Sequence, residues 1–384
     1  MSEWQKVKLG ELYEVHNGLS KGRQFFGTGF PFLTFSNVFN NWFLPDQLES
    51  LVQTTDKERE ACSIKAGDVF ITRTSETMDE LGMSSVALKD YPNATYNGFT
   101  KRLRPITDRV NPRYIGYYLR TPKFRGQFMA FSTMTTRASL ANNDLLNMEV
   151  ELPSMEIQHR IATILSRYDS LIENYQKQIK LLEEAAQRLY KEWFIDLRFP
   201  GHENTRIVDG VPEGWERKRL GEVAPILTEK KDANFGTPDG EFPFFTCSQE
   251  PIKAPSFSFK ASAVLLAGNG DFNVKLYRGK FEAYQRTYVM IPMDGRMLFL
   301  LYNSVSTNMT KLANGASGST IKFLTKGMID SIDLLVPNDG VLCEYNRLQE
   351  NIQQKLENAK SQLRLLAEAR DRLLPKMMSG EITI

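Results

Sequence analysis

Apolar residues recur at alternating steps of four and three between Pro153 and Phe194. The members of this stripe are Ile157, Ile161, Ile164, Tyr168, Leu171, Tyr175, Leu182, Ala185, Leu189 and Trp193. A period of 3.5 residues stays on one face of a helix only if that helix supercoils against a partner. The pattern therefore predicts a long coiled-coil helix of about 60 Å.

The same stripe returns 184 residues further along the chain, beginning at Pro337. Identical residues meet at this offset: Asn174 and Asn358, Gln178 and Gln362, Leu181-Leu182 and Leu365-Leu366, and Arg188-Leu189 and Arg372-Leu373. Because each helix finds a similar partner in the same polypeptide, we predict that 154–197 and 339–384 pair with each other. An internal two-fold axis would make the pair antiparallel, with the preceding globular parts at opposite ends.

The seam of the predicted helix pair includes two glutamines. Its predicted core positions are Ile161, Ile164, Leu171, Gln178, Leu182, Leu189, Leu348, Ile352, Gln362, Leu366 and Leu373. A buried polar pair at Gln178 and Gln362 would cost stability and fix the register. The alternative is that both side chains reach solvent at the edge of the seam.

The ends of the two helices carry stop and start signals. Ser154 is a predicted N-cap of the first helix, and Asn338 or Asp339 of the second. Pro200-Gly201 ends the first helix, and Pro375 is expected to limit the second.

The remaining segments, 1–153 and 198–338, show short apolar runs between Gly, Pro, Asn and Asp clusters. Strands are predicted at 69–72, 287–292 and 332–336, and helices at 112–119 and 297–304. The segments open alike, with Trp4 and Trp215 each followed by Leu-Gly-Glu. We predict an α+β fold of two similar strand-rich domains and two long antiparallel coiled-coil helices, with an internal pseudo-two-fold.

Composition agrees with a folded, multidomain protein. The chain has 384 residues, 41% hydrophobic and 24% charged, and no apolar run approaches the ~18 residues that a membrane helix needs. Its three cysteines offer no disulfide framework or zinc spacing, and the polar N-terminus shows no secretory signal. We therefore expect a cytoplasmic protein without a membrane or metal site.

The sequence predicts no catalytic residues. Asn111-Pro112-Arg113-Tyr114 resembles the Asn-Pro-Pro-Tyr of amino-methyltransferases but lacks the second proline. Gly268-Asn269-Gly270 lacks the third glycine of a dinucleotide loop, and no GxxxxGK[ST] phosphate loop occurs. The three histidines are far apart in the sequence.

Positive charge is concentrated between Lys101 and Arg137, where nine Lys and Arg residues face only Asp108. A one-sided basic surface is the footprint of a polyanion partner, although such a run is also compatible with a solvated face. The aromatic residues interleaved with this segment are predicted to pack in the core; they are Phe99, Tyr114, Tyr117, Tyr118, Phe124 and Phe128.

Ser- and Thr-rich loops stand at matching places, 132–139 and 314–320. Small hydroxyl donors suit contacts to phosphates or base edges. A flexible linker has no reason to recur in both halves, so the duplication favours a binding role.

Several motifs, in order, resemble the DNA-specificity subunits of type I restriction-modification systems. The residues that carry the resemblance are the two Trp-x-x-x-x-Leu-Gly-Glu openings, Leu152-Pro153-Ser154 with Gln158 and Arg160-Ile161-Ala162, Glu192-Trp193-Phe194-Ile195-Asp196, Pro212-Glu213-Gly214-Trp215, and 373–382. The start of the second helix departs from the pattern, because Val336-Pro337-Asn338-Asp339-Gly340 is not followed by Gln-Arg-Ile.

The resemblance implies that 1–153 and 198–338 are target recognition domains, each reading half of a split double-stranded DNA site. It also implies two modification subunits, which methylate adenine with S-adenosylmethionine, and two restriction subunits, which use ATP and Mg²⁺ to translocate and cleave DNA. No cofactor is expected on this chain. The rival classes are a self-contained methyltransferase or nuclease and a structural coiled-coil adaptor.

Candidate DNA contacts are basic, hydroxyl or amide side chains of the two domains. They are Lys21, Arg23, Arg73, Lys101, Arg102, Arg104, Thr135, Arg137, Asn269, Lys275, Arg278, Arg286, Lys311, Ser317 and Lys322. Arginine can read guanine through two hydrogen bonds, whereas phosphate contacts bind all sequences alike.

Overall fold

A computed structural model of the chain describes residues 4–75, 81–131, 133–134, 138–318 and 322–382. It divides into two compact units, unit 1 of residues 1–174 and 362–384 and unit 2 of residues 175–361. Each unit therefore holds one strand-rich domain together with parts of both long helices.

Unit 1 is built on short strands and helices. Its strands are β1 (Gln5–Lys8), β2 (Tyr13–Asn17), β3 (Phe26–Leu33), β4 (Leu51–Val52), β5 (Val69–Thr72), β6 (Thr74–Ser75), β7 (Ser84–Val86), β8 (Thr95–Tyr96), β9 (Thr100–Pro105), β10 (Thr133–Met134), β11 (Ala138–Ser139) and β12 (Glu149–Leu152). Its helices are α1 (Leu9–Leu12), α2 (Phe35–Asn40), α3 (Asp56–Ala61), α4 (Pro112–Tyr118), α5 (Pro122–Phe131), α6 (Asn142–Asn147) and the first part of α7 (Met155–Tyr190).

Unit 2 follows the same plan with a shorter chain. Its strands are β13 (Ile207–Val208), β14 (Val211–Pro212), β15 (Glu216–Arg219), β16 (Ile226–Leu227), β17 (Phe242–Phe245), β18 (Ile252–Ala254), β19 (Phe259–Ala267), β20 (Val274–Ala283), β21 (Thr287–Met290) and β22 (Asp333–Val336). Its helices are α8 (Leu220–Val223), α9 (Leu298–Gly315), α10 (Lys326–Asp330) and most of α11 (Asp339–Met378).

The central sheets have equivalent strand orders. Unit 1 has β2-β9-β5-β7 and unit 2 has β16-β21-β19-β20, all antiparallel. Each unit also has a parallel strand pair. In unit 1, β3 pairs with β8 in a separate three-stranded sheet, with Leu33 opposite Tyr96. In unit 2, β17 pairs with β20 in the same sheet, with Phe245 opposite Ala283. The predicted α+β fold with two similar domains is confirmed.

The Leu-Gly-Glu openings form a short helix in each unit, α1 and α8. The glutamate caps it, since Glu11 accepts a hydrogen bond from the Lys8 backbone N–H at 3.1 Å. The glycine permits close packing of a later helix, because a Cβ on Gly221 would collide with Asp330 Oδ1 of α10. Capping and close packing together therefore explain the repeated motif.

The long helices begin near the predicted caps. Ser154 Oγ accepts from the Ile157 N–H at 3.4 Å, and Asn338 Oδ1 accepts from the Val341 N–H at 3.0 Å. The α7 helix continues as a π-helical turn from Lys191 to Ile195. Pro375 does not end α11, which runs to Met378, because a proline removes only one backbone donor in the final turn.

Within each unit, segments of α7 and α11 run antiparallel. In unit 2 the Ala186 carbonyl accepts from Gln349 Nε2 at 3.1 Å, while Glu183, earlier in α7, pairs with Lys360, later in α11, at 3.0 Å. In unit 1, Leu165 shares a buried cluster with Leu374, as the same antiparallel direction requires.

The seam differs from the predicted one at several positions. Of the predicted core residues, Ile161 is buried, and those partly buried are Ile164, Leu182, Leu189, Leu348, Ile352, Leu366 and Leu373. Leu171, Gln178 and Gln362 are exposed, so their assignment to the core is wrong, and for the two glutamines the alternative of solvent exposure is confirmed. The more buried neighbours are Leu165, Ile172, Ile179 and Leu363. At Ile164-Leu165 and Leu171-Ile172 the chain has two apolar residues side by side, and the second is the more buried.

Candidate nucleic-acid interface

In unit 1 the ends of three strands meet in a cluster of loops that we call loop cluster 1: Arg73, Asn97, Phe99 and Leu140. The Arg73 N–H donates to the Phe99 carbonyl at 3.0 Å, and the Leu140 N–H donates to the Arg73 carbonyl at 3.2 Å. Asn97 is fixed by its N–H, which donates to the Leu33 carbonyl at 3.0 Å. Backbone hydrogen bonds thus hold together the end of β3 and the segments that follow β5, β8 and β11.

Unit 2 builds the same arrangement, loop cluster 2, from Gly268, Tyr284, Arg286 and Leu324. The Gly268 N–H donates to the Arg286 carbonyl at 2.7 Å, and the Leu324 N–H donates to the Gly268 carbonyl at 2.8 Å. The Tyr284 N–H donates to the Phe245 carbonyl at 3.0 Å. Positions 73, 97, 99 and 140 therefore correspond to 268, 284, 286 and 324.

The Ser/Thr-rich loops join these clusters through matching bridges. In unit 1, β11 pairs with both β10 and β6. In unit 2, Phe323 bridges both Ser317 and Asn269 in the antiparallel sense. Thr135 and Arg137, two of the predicted contacts, lie outside the described residues.

Three predicted DNA contacts of unit 1 instead support its sheet. Lys101 and Arg102 are 4% and 2% exposed, and Arg102 donates to the Ser63 carbonyl at 2.7 Å. Arg104 forms two hydrogen bonds, of 2.8 and 2.7 Å, to the buried carboxylate of Asp68. We correct the prediction for these residues, because buried or paired cations have little left to offer a nucleic acid.

Other cations of the basic segment are also engaged inside unit 1. Arg120 donates to the carbonyls of Ser84 at 2.7 Å and Val38 at 2.9 Å, and its burial lowers its pKa to about 10. Lys123 pairs with Glu151 at 2.6 Å. Part of the local surplus of positive charge is therefore engaged within unit 1, whereas Arg109, Arg113 and Lys123 are exposed.

The remaining candidates of unit 1 differ in accessibility. Lys21 pairs with Glu58 at 2.7 Å. Arg23 is exposed. Arg73 is half-buried in loop cluster 1, and its Nε is buried without a hydrogen-bond partner among the residues described.

In unit 2, Asn269 and Lys275 lie beside loop cluster 2. Asn269 Oδ1 accepts from Cys247 Sγ at 2.8 Å, and Lys275 Nζ donates to the Ser248 carbonyl at 2.8 Å. Burial is the main cause of the lowered pKa of Lys275. Both side chains therefore stabilise the loops.

Four further candidates of unit 2 are exposed: Arg286, Lys311, Ser317 and Lys322. Arg286 belongs to loop cluster 2, and Ser317 and Lys322 flank it through the Phe323 bridges. Lys311 lies on α9, away from these hydrogen bonds.

Arg278 forms an ion pair within unit 2. It lies on β20 and forms two hydrogen bonds, of 2.7 and 2.8 Å, to Glu350 of α11. This pair raises the pKa of Arg278 and joins the sheet to the long helix. Because both side chains are partly exposed, the DNA contact at Arg278 stays a prediction.

Phe99 is an exposed aromatic residue of loop cluster 1 that the sequence did not point to as a candidate contact. The other interleaved aromatics are buried as predicted, but Phe99 is 54% exposed, so its core assignment is wrong. The signal was the Asn97-Gly98 dipeptide directly before it, which is typical of a turn.

Neither a metal site nor a membrane span is found in the described ranges. No three His, Cys, Asp or Glu side chains there are arranged to hold a metal ion. No helix among them combines the length and apolarity needed to cross a bilayer.

Known proteins are similar to this chain in sequence and architecture. Residues 1–184 and 212–373 match the family described as "Type I restriction modification DNA specificity domain". The chain belongs to this family. The MjaIX specificity subunit of Methanocaldococcus jannaschii is 26% identical to it, over all of this chain and 94% of that protein. The EcoDI specificity subunit of Escherichia coli is 37% identical over 177 residues, 45% of this chain and 40% of that protein.

A solved type I S subunit from M. genitalium has the same fold. The TM-score is 0.64 with 14% identity, covering 98% of this chain and 96% of that structure. The predicted class, a type I restriction-modification specificity subunit, is confirmed. Such a subunit is a non-catalytic component of the type I system, as predicted.

Proposed function

We propose that this specificity subunit reads a bipartite site in double-stranded DNA, one half with each unit. The observation that carries the proposal is the duplication of the loop cluster. Four backbone positions are held by matching hydrogen bonds in both units, while the side chains differ at three of them and both units have leucine at the fourth. Equal scaffolds with unequal side chains suit two readers of two different short sequences.

The domains proposed to read DNA are 1–153 and 198–338, and the helices proposed to join them are 154–197 and 339–384. Exposed Arg286, Ser317 and Lys322 supply donors in the second domain. In the first domain Arg23 and Arg73 do so, and Thr135 and Arg137 remain proposed contacts. Arginine and lysine contact phosphates or guanine, and hydroxyls contact either.

The chemistry is proposed to come from other chains in the cytoplasm. Two modification subunits would methylate adenine with S-adenosylmethionine, and two restriction subunits would use ATP and Mg²⁺ to cleave unmodified DNA. This chain would direct both activities by placing them on the recognised site.

Mapping methylated adenines tests the proposal. DNA would be taken from cells that express the chain with its modification subunits, and from cells that lack only this chain. We expect methylation at a motif of two fixed halves separated by unread bases, present only with the chain. An ungapped motif, or methylation that does not depend on the chain, would contradict the proposal.

A further inference from the structure

Positions 99 and 286 are equivalent, yet they carry different chemistry. The carbonyl of Phe99 accepts from the Arg73 N–H, and the carbonyl of Arg286 accepts from the Gly268 N–H. Both side chains are exposed, and each directly precedes a central strand, β9 or β21. The fold thus presents an aromatic side chain from unit 1 where it presents a guanidinium from unit 2.

The positions that donate to these two carbonyls, 73 and 268, also carry different residues. Unit 1 has Arg73 where unit 2 has Gly268. A Cβ at Gly268 would lie 2.5 Å from the carbonyl oxygen of Arg286, so this position tolerates no side chain without a shift of the backbone. Each loop cluster therefore contains one arginine, but the arginine stands on a different strand end.

Local contacts do not account for the exposure of Phe99. Its N–H donates to Asn97 Oδ1 at 2.7 Å, which fixes the turn through the backbone and the asparagine rather than through the phenyl ring.

We infer that position 99/286 determines specificity: Arg286 selects guanine in one half-site, and Phe99 selects thymine in the other. A guanidinium matches the O6 and N7 acceptors of guanine, whereas an apolar ring favours the thymine methyl group. This inference rests on the proposed function, because it assigns a base to each reader.

Selection from a random duplex library tests the inference. The probe is double-stranded DNA with a randomised core, bound by the full chain purified with its modification subunits. With Arg286→Ala we expect guanine preference to fall about ten- to hundred-fold at a single position of one half-site. With Phe99→Ala we expect thymine preference to fall about five-fold in the other half-site.

A variant that places the arginine of one unit at the equivalent position of the other distinguishes base recognition from a structural change of the loop. Phe99→Arg is expected to create a guanine preference in the half-site that Phe99 reads. Both positions are exposed, so these substitutions remove no core packing.

Matched controls are Ile106→Ala, 58% exposed at the opposite end of β9, and Arg217→Ala, exposed on β15. Neither control should change the selected motif. If the wild type selects a two-part motif and Phe99→Ala, Phe99→Arg and Arg286→Ala all select the same one, the inference is overturned while the proposed function stands. If the wild type selects no motif, the proposed function fails, and the inference fails with it.

Discussion

In unit 1 an ion pair between the two long helices lies where they meet the strand-rich domain. Asp169 of α7 and Arg370 of α11 lie 3.0 Å apart, and the Tyr117 hydroxyl donates to the same carboxylate. The Arg370 guanidinium lies 5.3 Å from the ring centroid of Trp42. The ion pair, the tyrosine hydroxyl and the tryptophan ring are thus in contact where the helices meet the domain.

Unit 2 has a cavity of about 310 Å³ at the corresponding junction. The equivalents of Asp169 and Arg370, offset by 184 residues, are Gln353 and Ala186, which both line it. Instead of an ion pair, unit 2 has a buried network of uncharged side chains. In it the Tyr345 hydroxyl accepts hydrogen bonds from Asn303 at 3.0 Å and from Gln349 at 3.1 Å.

The comparison of the two junctions shows which features the two units share and which features differ between them. Strand order and loop clusters depend on backbone hydrogen bonds, which almost any side chain permits. The junctions depend on particular side chains and on chain length. In unit 1 the segment between β3 and β4 has room for α2 and Trp42, whereas β18 begins at Ile252, soon after β17 ends at Phe245.

The largest effect is expected from the neutral network of unit 2. Tyr345 is fully buried and its ring packs on Phe194 at a centroid distance of 4.8 Å. Tyr345→Ala should lower the free energy of unfolding by about 3–5 kcal/mol. Tyr345→Phe should cost only about 1–2 kcal/mol, because it removes the acceptor but keeps the ring. Urea unfolding followed by tryptophan fluorescence measures both; equal losses would show that the hydroxyl alone matters.

Breaking the ion pair of unit 1 should have a smaller effect. Arg370→Ala leaves Asp169 without its cation, but their side chains are 17% and 20% exposed, so we expect about 2 kcal/mol rather than the ~3–5 of a fully buried pair. Hydrogen exchange should rise in 155–174. A double-mutant cycle with Asp169→Ala checks the coupling, and additive losses would contradict it.

Transplanting the ion pair into unit 2 tests whether the junctions are interchangeable. In the variant Ala186→Arg with Gln353→Asp, the new charges occupy the positions of Arg370 and Asp169. We expect a favourable coupling of about 1 kcal/mol between the two substitutions. It should be weaker than in unit 1, because no tryptophan contact accompanies it. A thermodynamic cycle of unfolding free energies measures it, and zero coupling would show that the junction geometries differ.

The smallest effect is expected at the pair between β20 and α11. Arg278 and Glu350 have side chains 37% and 51% exposed, so Arg278→Ala should cost only about 0.5 kcal/mol. Salt should shrink the difference from the wild type, since it screens exposed charges. Thermal unfolding at low and high salt measures this; a loss that persists in high salt would point to packing of Arg278 on Phe299, 5.2 Å away.

Much of the fold could be predicted from local patterns. The heptad stripe predicted both long helices, and the repeated Leu-Gly-Glu openings predicted two similar domains. The residues that face the seam were harder to predict from the sequence, because Leu171 and Ile172 are both apolar, as are Leu181 and Leu182. A choice between adjacent residues depends on how the two helices are rotated against each other.

For the candidate interface, the sequence located the Ser/Thr-rich loops and Arg286 but overestimated the basic segment. Arg102 and Arg104 point to DNA by residue type, yet in unit 1 they hydrogen-bond to Ser63 and Asp68. Those partners lie about forty residues away in the chain, so no local pattern shows the pairing.

The sequence by itself determined the duplicated architecture, since periodicity and repeats are properties of residues close in the chain. Only the tertiary structure decided which charges are buried, which apolar side chain faces the seam, and that Phe99 and Arg286 share a position. Those facts depend on contacts between distant segments, which form only when the sheet and the helix pair come together.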